Sequence, residues 1–170
     1  MTGTGTAVVI GVGNPFRRDD GIGPAVAAEI GRQQRPGVRV VISDGEPSGL
    51  IEAWSGAGLA VIVDALHGPP AGERPGGPAP APGRVHRVTP AGLESSGRAG
   101  SSHGLGVPDA FRLGRALGRL PARAVIVAVE AADTRPGPGL SAAVAAALPD
   151  AVAAVAAELR GAGLGGAGAP

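Results

Sequence analysis

The side chains able to do chemistry in this chain are a few carboxylates and a loop imidazole: Asp19, Asp20, Asp44, Asp64 and His103. Asp19 and Asp20 are adjacent and follow a glycine turn, in Gly11-Val-Gly-Asn-Pro-Phe-Arg-Arg-Asp-Asp-Gly-Ile-Gly23. Asp44 and Asp64 each close an apolar run. His103 stands in Ser101-Ser-His-Gly-Leu-Gly106, among small residues that let another molecule approach closely. Two carboxylates and one imidazole make a donor set of intermediate hardness. It suits Ni²⁺, Zn²⁺, Mn²⁺ or Fe²⁺ better than Ca²⁺, and three protein ligands leave coordination positions open. A metal held there can polarise a carbonyl or acidify a bound water. Spacing alone fixes neither which metal is meant nor whether the protein keeps it.

Each of these residues also has an ordinary structural explanation. Asp19 or Asp20 can simply cap the helix that follows, where an acidic side chain is favoured. Asp44 and Asp64 can be turn formers, and a lone loop histidine is commonly a surface residue. Against this, Asp20, Asp44 and Asp64 all follow strands, which places them at the edge where open α/β sheets bind ligands. His67 flanks a Pro-rich segment and His86 lies in an alternating strand, so neither stands out. The turn Gly11-Val-Gly13 opens like a dinucleotide fingerprint, but Phe16 occupies the third glycine position. Two carboxylates beside the anion end of a helix would also repel a phosphate, so no nucleotide is expected.

The elements that must position these groups alternate between apolar runs and helical patterns, the mark of a mostly parallel sheet with helices on its faces. Strands are expected over 6–12, 38–43, 59–64 and 124–129, with an edge strand over 84–89. Helices are expected over 24–32, 48–55, 107–117 and 140–159. Pro24 falls in a first turn, where its missing N–H is harmless. Phe111, Leu113 and Leu117 supply apolar positions of the third helix. Ser141 is the expected N-cap of the last helix, and Pro149 should kink or divide it. Residues 68–83, rich in Pro and Gly, cannot hold a helix or a central strand and read as a surface excursion within one domain spanning 1–160. Residues 161–170 read as a disordered low-complexity tail.

Composition narrows the function classes. The chain has 170 residues and no cysteine, which excludes disulfides, thiolate metal sites and a cysteine nucleophile. Its length suits one domain with a single core. The net charge is +1, with 15 arginines, no lysine and 2% aromatics. Scattered arginines without stacking rings argue against a nucleic-acid face. No run is expected to reach the ~20 apolar residues of a membrane span. The N-terminus lacks the basic patch of a secretory signal, so a soluble cytoplasmic protein is expected.

Taken together, Gly11–Gly23, Asp44-Gly45, Val63-Asp-Ala65, Ser101-Ser-His-Gly-Leu105 and Gly139-Leu-Ser141 resemble, in order, the motifs of hydrogenase maturation endopeptidases. The resemblance runs from about Val8 to Leu159. It implies a three-layer α/β/α fold around a twisted, mostly parallel sheet of about five strands, phosphorylase/hydrolase-like in outline. It further implies removal of the C-terminal extension of a nickel–iron hydrogenase large-subunit precursor after nickel insertion. The family's metal-contacting positions fall on Asp20, Asp64 and His103, with Asp44 in support. Gly13, Asn14, Gly45 and Gly104 would line the substrate crevice. The nickel would be carried by the precursor rather than permanently bound, and a monomer is expected. The alternative is a non-proteolytic chaperone of the same fold that binds nickel or the precursor. One departure stands out: many members follow the second motif's aspartate with a Gly-Gly-Thr type sequence, whereas Asp44-Gly45 here precedes Glu46-Pro47-Ser48.

Overall fold

In the computed structural model, the described residues are 6–67, 79–95 and 106–165. Five strands, β1 (Ala7–Val12), β2 (Val38–Ser43), β3 (Leu59–Leu66), β4 (Val85–Val88) and β5 (Arg123–Glu130), form one sheet in the order β2-β1-β3-β5-β4. All pairs are parallel except β4 with β5, which is antiparallel. The helices are α1 (Ile22–Arg32), α2 (Pro47–Trp54), α3 (Pro90–Ser95), α4 (Val107–Ala116) and α5 (Ala142–Gly161). The expected α/β architecture is therefore the observed one.

The central strands are apolar on both faces because both are covered. Val9, Val61, Val63, Val127 and Val129 pack with Ile22, Val26, Val144, Ala151 and Val155 on the α1/α5 side. Ile10, Ala60, Ile62, Ile126 and Ala128 pack with Leu50, Trp54, Ala110 and Phe111 on the α2/α4 side. Trp54 and Phe111 stack with ring centroids 4.9 Å apart, and the indole N–H donates to the Arg119 carbonyl at 2.8 Å. This satisfies the polar tip of a buried aromatic.

Several boundaries differ from expectation for identifiable reasons. A 3-10 turn over Arg18–Gly21 precedes α1, so the helix begins at Ile22 and not at Pro24. Strand β3 runs two residues past Asp64, because β5 continues to pair with it through Leu66↔Glu130. The short helix α3 was not anticipated. Of the apolar residues expected on α4, Phe111 is buried while Leu113 and Leu117 are exposed. Pro149 does not divide α5, which continues as a single helix around that exposed residue. The tail is not wholly free either: Leu164 is buried and its N–H donates to the Leu159 carbonyl at 2.8 Å. Residues 166–170 and 68–78 lie outside the described residues. Contrary to the expectation of no sufficient run, α5 has the length and hydropathy of a membrane span. Its inward residues Val144, Ala147, Ala151, Val155 and Leu159 nevertheless belong to the core.

Candidate active site

The strand order creates the crevice. From β1 the chain crosses over α1 to β2 on one side, then over α2 to β3 on β1's other side. Crossovers depart in opposite directions at β1 and β3, and the carboxyl ends of such a pair are where open α/β sheets hold ligands. Register opens it further. Pairing of β1 with β3 stops at Gly11↔Val63, so Asp64 is the first β3 residue beyond it, still braced on its other side by Ala128 of β5. Alternation puts Asp64 on the face shared by Ile62 and Ala128.

Into the space beyond β1 comes the segment 13–21. Gly13 has φ +135, and a Cβ there would overlap the Asp20 carbonyl oxygen and lie 3.4 Å from the Asp20 carboxyl carbon. Only glycine lets the turn fold onto Asp20 in this way. Asp20 is 1% exposed, and its Oδ2 accepts the Asn14 N–H at 2.8 Å. Behind it, Gly23 lets α1 press against the sheet: a Cβ would overlap the Val12 carbonyl oxygen and approach that of Val63 to 2.6 Å.

Asp64 reports the nearness of Asp20. Burial, then the Asp20 negative charge, push its pKa up to about 7, against a smaller opposing effect of a backbone hydrogen bond at Ala65. Asp64, held near neutral pKa beside the Asp20 carboxylate, is a candidate group for handling a proton or meeting a cation. Among the described residues, no group of three potential metal-ligating side chains gathers. The pair fits an incomplete donor set, able to meet an ion brought by another molecule. An acid near pH 7 is also suited to moving a proton at neutral pH.

Asp19 plays a different part. It is fully buried, and its carboxylate accepts four hydrogen bonds, all from one distant loop and the start of α5. Oδ2 takes the N–H groups of Ala132 (2.8 Å) and Asp133 (2.9 Å) and the Ser141 hydroxyl (2.9 Å); Oδ1 takes the Ser141 N–H at 2.6 Å. Ser141 is the N-cap of α5 as expected, but its hydroxyl serves Asp19 rather than its own helix. Asp19 thus caps α5 through space, not the helix it precedes in sequence.

The other expected residues are placed as follows. Asp44 is exposed at the end of β2, and its Oδ1 accepts the Glu46 N–H at 3.1 Å, a local turn. Gly45, at φ +90, lies against Val12 in the same turn. Glu46 becomes the N-cap residue of α2, Pro47 its first residue, and the Ser48 hydroxyl donates to Glu46 at 2.8 Å. His103 and Gly104 lie outside the described residues. Sequence reading passed over one pair: His86 Nε2 lies 2.7 Å from Glu130 Oε1, with His86 opposite Ala128, which in turn lies opposite Asp64. Nothing local in the sequence signals a contact between residues 44 positions apart.

The architecture defines a doubly covered α/β protein, and the acidic pair is its candidate site at the strand-order reversal. No protein-family model and no curated protein matches the sequence. Solved structures do match. HybD, the hydrogenase maturating endopeptidase of E. coli, superposes with a TM-score of 0.74 at 25% identity, covering 94% of this chain and 95% of its own. An endopeptidase from E. coli solved in solution gives 0.75 at 23% identity, covering 94% and 95%. The [NiFe] hydrogenase maturation protease HybD of Thermococcus kodakarensis gives 0.70 at 23%, covering 91% and 98%. The structural neighbours of this chain include hydrogenase maturation endopeptidases, the family that its motifs resemble.

Proposed function

We propose that this chain is an endopeptidase that removes the C-terminal extension of a nickel–iron hydrogenase large-subunit precursor once nickel has been inserted. The observation that carries the reading is the Asp20–Asp64 pair, facing one crevice with Asp64 held near neutral pKa. Nickel arrives with the precursor, as part of the substrate. A cation held by Asp20 and Asp64 would offset the Asp20 charge that, after burial, raises the Asp64 pKa. His103, which precedes α4 in the sequence, would complete the contacts. Asp64 would accept a proton from the attacking water as its oxygen bonds to the scissile carbonyl carbon. The same proton would pass to the leaving nitrogen as the C–N bond breaks, leaving Asp64 as it began. Asp44 keeps the adjoining turn in shape. The protein acts as a soluble monomer in the cytoplasm.

The test is co-expression with a candidate precursor, followed by intact-mass measurement of the precursor's C-terminus. Loss of the extension only from nickel-loaded precursor is the expected result. Equal cleavage of nickel-free precursor would sink the checkpoint, and stable association without release would indicate a chaperone of the same fold.

A further inference from the structure

Phe16 is one of two phenylalanines in a chain without tyrosine. Phe111 is buried against Trp54, whereas Phe16 is 76% exposed, the most exposed of the large hydrophobic residues described. A single exposed apolar side chain is ordinarily unremarked. The backbone beneath this one is unusually well fixed. Its N–H donates to Asn14 Oδ1 at 2.9 Å, and its carbonyl accepts the Gly137 N–H at 2.8 Å. On the next two residues, Arg17 Nε donates to the Thr134 carbonyl at 3.2 Å and the Arg18 N–H to the Gly137 carbonyl at 3.0 Å. Arg18 holds φ +46, a left-handed conformation costly for a residue with a Cβ. The ring therefore stands on a pre-ordered ledge, the condition under which an aromatic contributes most to binding.

The ledge belongs to the crevice. Two residues before Phe16, the Asn14 N–H is bound to Asp20, so at most about 7 Å of chain separates the two backbone nitrogens. With Asp19 and Asp20 buried, the accessible charge of the ledge is positive: Arg17, Arg18 and Arg135 against the carboxylate of Asp133, which Arg18 and Arg135 share at 3.4 and 2.7 Å. A lone ring is too little apolar surface for a membrane anchor. A second copy offers no matching acidic pocket at the opposite end of its sheet: the cavity there, lined by Thr6, Val38, Arg39 and Ser55 among others, offers a cation and no carboxylate.

We propose that Phe16 is the anchor by which this chain grips its precursor: the ring enters an apolar pocket on the folded precursor beside the cleaved bond, and an acidic margin of that pocket meets Arg18 and Arg135. This rests on the function proposed above. Its test is steady-state processing of purified nickel-loaded precursor by wild type, Phe16→Ala, Phe16→Leu and Arg135→Glu. The catalytically silent Asp64→Asn background gives direct binding constants for each. Phe16→Ala should raise KM and Kd about tenfold with kcat nearly unchanged, and Phe16→Leu should recover most of the loss. Arg135→Glu should weaken binding a few-fold, and more at low salt. Thermal midpoints of the Phe16 variants should not move, since the ring packs against little. Unchanged KM and Kd in Phe16→Ala, or a loss confined to kcat, overturns the anchor while leaving the function intact. Wild type that neither trims nor binds the precursor overturns both.

Discussion

Asp19 and Asp64 stand at the same edge of the sheet, and their surroundings differ in the one respect that matters for chemistry. Asp19 is buried among four donors, from Ala132, Asp133 and Ser141, that match a carboxylate's acceptor capacity. Asp64 is partly buried beside another carboxylate, and burial and that neighbour hold it near pKa 7. The first group is committed to holding the loop before α5 against the segment that carries Asp20. The second is left with an unmet electrostatic demand that a substrate can satisfy. A structural tie and a candidate reactive group are thus built from the same residue type by the number of donors that surround it.

The comparison can be broken most decisively at the site. Asp20→Asn, Asp64→Asn and His103→Ala should each reduce precursor trimming by at least about a thousandfold, read by intact mass, while far-ultraviolet circular dichroism stays that of wild type. Normal trimming in all three would remove the site assignment. Asp19→Ala should fail differently. It strands several buried donors, so a loss of roughly 3–5 kcal/mol is expected in urea unfolding, with activity lost through unfolding rather than chemistry. Asp19→Ala that is stable yet inactive would place Asp19 in the chemistry instead. Gly13→Ala should cost about 2–4 kcal/mol, because φ +135 and the overlap with Asp20 both oppose a Cβ.

The next effect is smaller and opposite in sign. Asp64 has a folded pKa of about 7 against an ordinary value of 3.8. A raised pKa means that the folded state holds its proton longer than the unfolded chain. Its favourable contribution is complete below about pH 4 and is lost as pH rises to about 7. Asp64→Asn should therefore gain stability relative to wild type between pH 5 and 8, by roughly 1–3 kcal/mol in metal-free protein. A difference between variant and wild type that is flat across that range would contradict the strained pair. The smallest effect is expected at Asp44: Asn can keep the turn to the Glu46 N–H, so Asp44→Asn should change trimming by no more than about threefold and stability by about 0.5 kcal/mol. A larger loss of trimming would return Asp44 to the reacting groups.

Much of this molecule is legible in its sequence, for a local reason. Apolar runs bounded by glycine, proline and polar turns define β1, β2, β3 and β5, and helical periodicity defines α1, α2, α4 and α5, because these signals act over a few residues. The same locality makes the long motif from Gly11 to Gly23 readable, and with it Asp20 as a group delivered to a strand end. What the local signals could not distribute was the work between Asp19 and Asp20. Sequence allows either to cap the following helix; in the structure Asp19 instead binds groups 113 to 122 residues away.

Only the tertiary structure decided the rest. The order β2-β1-β3-β5-β4 puts the crevice between β1 and β3, and the register leaves Asp64 beyond the last β1 pairing. The pairing of His86 with Glu130, the burial of Leu164 and the exposure of Phe16 on a fixed ledge are likewise set by which elements become neighbours. Composition and periodicity specify which segments are strands and helices and which residues carry charge. They do not specify distance, and it is distance that raises the pKa of Asp64 beside Asp20 and saturates Asp19 one residue away.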